Sequence, residues 1–133
     1  MWTKTPDLNG DGVIDSNDKL SYSKAVEYAK KVNVGDYDDW RLPSIKELYS
    51  LTNFSGIDPN ARLRSSQGLH PFIDTNYFDF GYGDIDAGDR IIDAQMATST
   101  IYTGTTMGGN KTMFGYNFAD GRIKGYPAAT LPN

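Results

Sequence analysis

Helical periodicity ends at Asn53, and that break does more than any other feature to limit what the chain can become. Beyond it lie short aromatic and β-branched runs, Thr98 to Thr103, Thr112 to Phe118 and Arg122 to Tyr126, broken by Gly, Asp, Asn and Pro. Runs of this kind bounded by turn residues are strand signals. Phe118-Ala119-Asp120-Gly121-Arg122-Ile123 sets an Asp-Gly turn between two of them, a hairpin signal because glycine supplies the positive φ that tight turns need. Thr105 to Asn110, with Gly108-Gly109, reads as the loop joining the preceding pair. Helices first and antiparallel strands afterwards predict an α+β fold, with two short helices packed on small antiparallel sheets and long loops between.

The two helices are marked differently. Tyr22, Ala25, Val26, Ala29 and Val32 fall at i, i+3, i+4, i+7 and i+10, one apolar stripe, with Lys24, Lys30 and Lys31 opposite and Gly35 as the stop. The second helix is announced at its start. Pro43 cannot continue a helix from upstream, and Ser44-Ile45-Lys46-Glu47 is a capping-box sequence. Ile45, Leu48, Tyr49 and Leu51 supply its buried face, and Leu42 stands where a hydrophobic staple against Leu48 would form.

A chain of 133 residues has the length of one domain, 1–133, and can bury a core. The net charge of −4 offers no basic stripe for nucleic acid, and no apolar run is long enough for membrane insertion. Cysteine is absent, which removes disulfides, thiolate metal sites and a cysteine nucleophile. The acidic residues are lopsided, fifteen Asp against two Glu. Aspartate favours caps, turns and metal loops over helix interiors, so the count predicts a loop-rich protein with places for hard cations.

One such place is the EF-hand-like stretch 7–18, Asp7-Leu8-Asn9-Gly10-Asp11-Gly12-Val13-Ile14-Asp15-Ser16-Asn17-Asp18. Asp7, Asn9, Asp11, Asp15 and Asp18 hold the first, third, fifth, ninth and twelfth positions, Val13 offers its carbonyl at the seventh, and Gly12 sits at the sharp sixth position. Asp18 replaces the usual twelfth-position Glu, as in dockerin-type loops. Carboxylates about 5 Å apart repel by roughly 3 kcal/mol per pair at an effective dielectric near 20, so gathering four in one loop favours a cation. The plainer alternative is a polar loop of Asx turns. Nothing before Asp7 is long enough for an entering helix, so the expected calcium is a structural clamp and not a sensor that opens a groove. Its affinity would lie toward the extracellular end of the range, on the order of 10⁻⁴ M.

The block Asp38-Asp39-Trp40-Arg41-Leu42-Pro43-Ser44-Ile45-Lys46-Glu47-Leu48 is more specific than a capped helix has to be. It resembles the bacterial family named for the C-terminal domain of the Legionella collagen-like adhesin, whose signature reads D-W-R-L-P-T-x-K-E-L. Met1-Trp2-Thr3 is similar to the end of that family's first strand. Pro71-Phe72-Ile73-Asp74 is similar to the segment after its second helix, Ala97-Thr98-Ser99-Thr100 to its W-S-S-T strand, and Phe118 to Arg122 to its F-x-D-G-R hairpin. The resemblance implies a C-type-lectin-like fold in secreted, periplasmic or cell-surface proteins, serving adhesion or binding. The family's last strand has no counterpart after Tyr126, so the expectation is a fragment of a larger secreted protein or a sheet closed differently. The calcium loop reads as an insertion between first strand and first helix.

Beside the loop, the sequence offers an acidic, glycine-rich run through Asp79, Asp84, Asp86, Asp89 and Asp93. Asp84, Asp86 and Asp89 would share a second calcium, against which stands a solvated loop. Tyr82, between Gly81 and Gly83, would suit stacking on a sugar, with Asp84 and Asp86 as ligand-binding neighbours. Trp40 and Arg41 are expected to be structural, the indole under the second helix and the guanidinium on a carboxylate. Asp58-Pro59-Asn60 resembles the sugar-coordinating tripeptides of calcium-dependent lectins, without their partner strand. His70, the sole histidine, lies in a loop sequence with no nucleophile motif, and no enzyme is expected. Two functions compete: an extracellular, calcium-stabilised adhesion module for a glycan or surface protein, and a structural, calcium-riveted domain without a ligand. A dockerin-like scaffold partner ranks behind both, because dockerins carry two such loops.

Overall fold

Ser44 opens the second helix as its sequence requires. In the computed structural model, which describes residues 1–102 and 111–128, Ser44 Oγ accepts from Glu47 N–H and the Glu47 carboxylate accepts from Ser44 N–H at 2.8 Å. The helices are α1 (Tyr22–Lys31) and α2 (Ile45–Tyr49), and the strands β1 (Gln95–Ile101), β2 (Thr112–Asn117) and β3 (Arg122–Pro127) form one antiparallel sheet in that order. The fold is therefore α+β. The connection expected at Thr105 to Asn110, and Thr103 at the end of the first expected strand, lie outside the described residues.

Packing divides the chain into two units interleaved in sequence. One comprises Leu20–Ser50, Ala97–Tyr116 and the chain from Ile123, so far as these are described, and holds both helices and most of the sheet. Ser21 caps α1, whose stripe of Tyr22, Ala25, Val26 and Ala29 is half-buried, and Lys30 and Lys31 sit at the C-terminal end favoured by cations. α2 stops at Tyr49, short of Leu51, and just past it Ser50 Oγ donates back to the Glu47 carbonyl at 2.5 Å. Its start is tied to the sheet: Ile45 N–H donates to Thr100 Oγ1 at 2.9 Å, and Ser99 N–H to the Pro43 carbonyl at 2.8 Å. Tyr116 is fully buried on β2 and meets the Tyr49 ring edge-on at 5.5 Å, a favoured aromatic geometry. Trp40 is half-buried, its indole N–H on the Val34 carbonyl, and Arg41 grips both Glu47 oxygens at 2.8 and 2.9 Å.

The other unit is Met1–Lys19, Leu51–Met96 and Asn117–Arg122, where among the described residues the helical pieces are 3₁₀ turns at Ser16–Asp18 and Ile85–Ala87. Met1-Trp2-Thr3, expected to end a first strand, is not a strand; among the described residues the nearby chain makes one backbone bond to a distant segment, from Asp79 N–H to the Lys4 carbonyl. Phe72 anchors the middle. Its N–H donates to the Phe118 carbonyl at 2.7 Å, and a Cβ at Gly56 would lie 2.4 Å from its ring. The hairpin turn is wider than an Asp-Gly pair, running from Phe118 to Gly121. The buried Asn117 side chain organises it, accepting from Ala119 N–H and donating to the Ile92 carbonyl.

Candidate metal-binding loop and the cleft beside it

Glycine and aspartate deny the Asp7–Asp18 stretch a ladder, so its backbone N–H groups turn to side chains. Asp7 accepts from Gly10 N–H at 2.9 Å and Gly12 N–H at 2.8 Å, Asn9 Oδ1 from Asp11 N–H, and Asp11 from Val13 N–H. Gly10 and Gly12 take φ of +74° and +85°, which lets the chain turn this tightly. Asp15 caps the 3₁₀ turn and accepts from Asn17 N–H, while Asp18 reaches back to Asp15 N–H in a capping box.

Asp18 closes the loop. It is buried, and its carboxylate accepts from Leu8 N–H at 2.8 Å, Asn9 N–H at 3.3 Å and Asp15 N–H at 2.9 Å. The Asp15 N–H holds the Asp18 carboxyl below its ordinary value against the opposing pull of burial, and Asn9 and Leu8 add to the lowering. Side chains that the motif would turn toward an ion thus hold the loop's own backbone. Among the described residues no three His, Cys, Asp or Glu side chains form a group able to hold a metal ion. A carboxylate has about four lone-pair sites, so accepting one to three N–H bonds leaves some capacity for a cation, least at Asp18. Filling the loop would require its acidic groups to be drawn inward.

The loop leans on the acidic run, within the same unit. A Cβ at Gly81 would lie 2.6 Å from Ile14 Cγ2, and one at Gly83 would lie 1.8 Å from the Arg90 carbonyl oxygen. Both glycines are demanded by close packing, a role the stacking reading of Tyr82 did not include. Ser16 N–H donates to Asp84 Oδ2 at 3.0 Å, which lowers the Asp84 carboxyl, and Lys19 Nζ reaches Asp89 Oδ2 at 2.5 Å and the Asp93 carbonyl at 3.0 Å. Asp84 also caps the Ile85–Ala87 turn through Ala87 N–H, and Asp89 accepts from Asp84 N–H. Of the three residues offered for a second calcium, Asp84 and Asp89 are thus engaged with backbone and lysine, and Asp86 is exposed.

Between loop and run lies an open cleft of about 630 Å³ lined by Val13, Ile14, Asp15, Arg64, Tyr82, Gly83, Asp84, Ile85 and Asp86. It brings together Tyr82, Asp84 and Asp86, the residues singled out for ligand binding, and adds Arg64, which no sequence pattern marked. The Tyr82 ring meets Phe80 edge-on at 4.9 Å, and its hydroxyl is buried without a hydrogen-bond partner among the described residues. Burial raises its ionisation above the usual phenol range. Elsewhere, Asp58 of the lectin-like tripeptide pairs with Arg122 at 2.6 Å, and Asn60 accepts from Arg62 N–H. His70 is exposed.

The described residues thus form a small α+β domain with an acidic cleft built from loops, and the sequence comparison places it in a family. A family model described as the Lcl C-terminal domain matches residues 1–131, and the chain belongs to that family of bacterial surface- and adhesin-related domains. No curated protein and no solved structure matches the chain. No helix among the described residues is long and apolar enough to cross a membrane.

Proposed function

We propose that the chain is a calcium-stabilised extracellular binding module of C-type-lectin-like type, taking a glycan or surface-protein ligand in the Val13–Asp86 cleft. The observation that carries the reading is the Asp7–Asp18 loop. It sets oxygen donors at the EF-hand positions, turns at Gly12, and supplies one wall of the cleft. Asp7, Asn9, Asp11, Asp15 and Asp18 would give side-chain oxygens and Val13 its carbonyl. Calcium at that point neutralises mutual repulsion and clamps a loop that has no ladder of its own. A site of this affinity fills outside a cell or in the periplasm, which supports a secreted, periplasmic or surface location.

The second reading, a riveted structural domain without a ligand, is favoured by the same loop's self-sufficiency, each carboxylate being spent on its own backbone. Two measurements separate the outcomes. With calcium at about 100 times its dissociation constant, linkage adds roughly 2.7 kcal/mol, so the melting temperature should rise by on the order of 10 °C over chelator. An unchanged melting temperature sinks the calcium site. A glycan array with calcium present, followed by binding to extracellular-matrix proteins, tests the ligand; silence on both leaves the structural reading in place.

A further inference from the structure

We infer that Asn9 is a site of self-catalysed deamidation, where neighbouring groups supply a base and an oxyanion donor and the side-chain amide becomes a carboxylate. The chemistry needs neither ion nor ligand, so it stands apart from the function proposed above.

Asn9 is the one asparagine of the chain followed by glycine. The reaction is attack by the next residue's backbone nitrogen on the side-chain carbonyl carbon, which closes a succinimide ring. Glycine presents that nitrogen with no side chain in the way. Asn9, Gly10 and Asp11 are all exposed, and a Cβ on Gly10 would meet nothing within 4 Å, so this peptide has room to turn.

The contacts around Asn9 assign the roles. Asp7 Oδ1 accepts from Gly10 N–H at 2.9 Å, in reach to take the proton of the attacking nitrogen. Asp7 is itself held, its other oxygen accepting from Gly12 N–H at 2.8 Å. Asp11 N–H donates to Asn9 Oδ1 at 3.1 Å, the oxygen on which negative charge develops. Asn9 Nδ2 donates to Asp11 Oδ2 at 3.3 Å, which fixes the plane of the amide.

As the bond from Gly10 N to Asn9 Cγ forms, the amide proton passes to Asp7 and the carbonyl electron pair moves onto Oδ1. Collapse restores the carbonyl and breaks the Cγ–Nδ2 bond. The nitrogen leaves as ammonia, taking the proton back from Asp7 through water. Water then opens the ring at either carbonyl to give aspartate or isoaspartate. The balance is one water in and one ammonia out, and either product adds a negative charge between Asp7 and Asp11. Asn53 and Asn60 share the oxyanion-type contact, from Ser55 N–H at 3.0 Å and Arg62 N–H at 2.9 Å, but lead into Phe54 and Ala61. They serve as the internal reference.

The test is incubation of the whole chain at neutral pH in chelator, so that no cation competes for these oxygens. Conversion is followed by peptide mapping in the mass spectrometer and by enzymatic methylation of isoaspartate. The same chain unfolded in guanidinium gives the rate without the loop's geometry. Expected is conversion at Asn9 about tenfold faster in the folded chain than in the unfolded one, with Asn53 and Asn60 intact. Asp7→Asn should bring the folded rate down to the unfolded rate and leave the unfolded rate unchanged. The parent comparison alone decides if that variant does not fold. A folded rate equal to or below the unfolded one overturns the inference, because the loop's bonds would then shield Asn9. So would a folded Asp7→Asn protein that converts as fast as the parent.

Discussion

The two units solve the same problem by different chemistry. Every buried backbone N–H and C=O needs a partner. The unit with α1, α2 and most of the sheet supplies most partners from its own backbone and adds side chains at helix ends, as Ser44 and Glu47 do at α2, and within the sheet, where Thr98 Oγ1 donates to the Phe114 carbonyl. The other unit joins its segments by scattered backbone bonds, such as Phe72 N–H to the Phe118 carbonyl, and leans heavily on carboxylates, Asp7 for Gly10 and Gly12, Asp18 for Leu8, Asn9 and Asp15, Asp84 for Ser16 and Ala87. A ladder is indifferent to pH and to ions. A framework of aspartates titrates, and it is the one that lines the cleft.

The largest effects should show the two chemistries apart. Tyr116→Ala empties a fully buried aromatic site on β2 and should cost about 3–5 kcal/mol in urea unfolding, by the same amount with calcium or chelator. Asp18→Ala removes the acceptor for the N–H groups of Leu8, Asn9 and Asp15, at about 1–3 kcal/mol for any that water cannot reach; with these bonds part-buried and Asn9 exposed, a total loss of about 1–3 kcal/mol is expected. It should also abolish any calcium heat. Because the Asp18 carboxyl is lowered in the fold, its contribution is present above the ordinary carboxylate range and fades as pH falls through the lowered value. An Asp18→Ala protein as stable as the parent, or a Tyr116→Ala loss that depends on calcium, would break the contrast.

The sequence shows the ladder-built unit far better than the carboxylate-built one, for a physical reason. Capping boxes, helical stripes and Asp-Gly turns are local, and Ser44, Ser21 and Gly121 sit where their neighbours in sequence require. The donor spacing of Asp7 to Asp18 was legible for the same reason. What Ile14, Ser16 and Lys19 touch was not, since those partners stand some seventy positions away and leave no periodic trace. Gly81 and Gly83 were the available signal, and their absent side chains fit close packing as well as they fit a sugar-stacking Tyr82. Arg64 entered the cleft with no signal at all. The hairpin turn came out wider than its Asp-Gly pair because a buried side chain, Asn117, outbid the local turn preference.

Smaller perturbations sharpen the comparison at α2, where a carboxylate also serves, but on the surface. Ser44→Ala removes the acceptor for Glu47 N–H and should cost about 1 kcal/mol in the same unfolding assay, with no calcium dependence. The smallest effect is that of Glu47 itself. Its carboxyl is held down to about 2 from an ordinary 4.5, first by the Arg41 guanidinium and then by the Ser44 N–H. A depressed acid stabilises the fold above its unfolded value, so the contribution is whole above about 4.5 and disappears as pH falls toward 2. Solvent screens this exposed pair, and the loss should be slight beside that at Asp18. The check is a pH series of unfolding midpoints for the parent and for Glu47→Gln. The variant should start slightly lower at neutral pH and converge on the parent below pH 4.5, and its calcium response should match the parent's throughout. A Glu47→Gln protein that fails to converge, or that loses calcium sensitivity, would place ion and acid dependence in both units and dissolve the distinction between them.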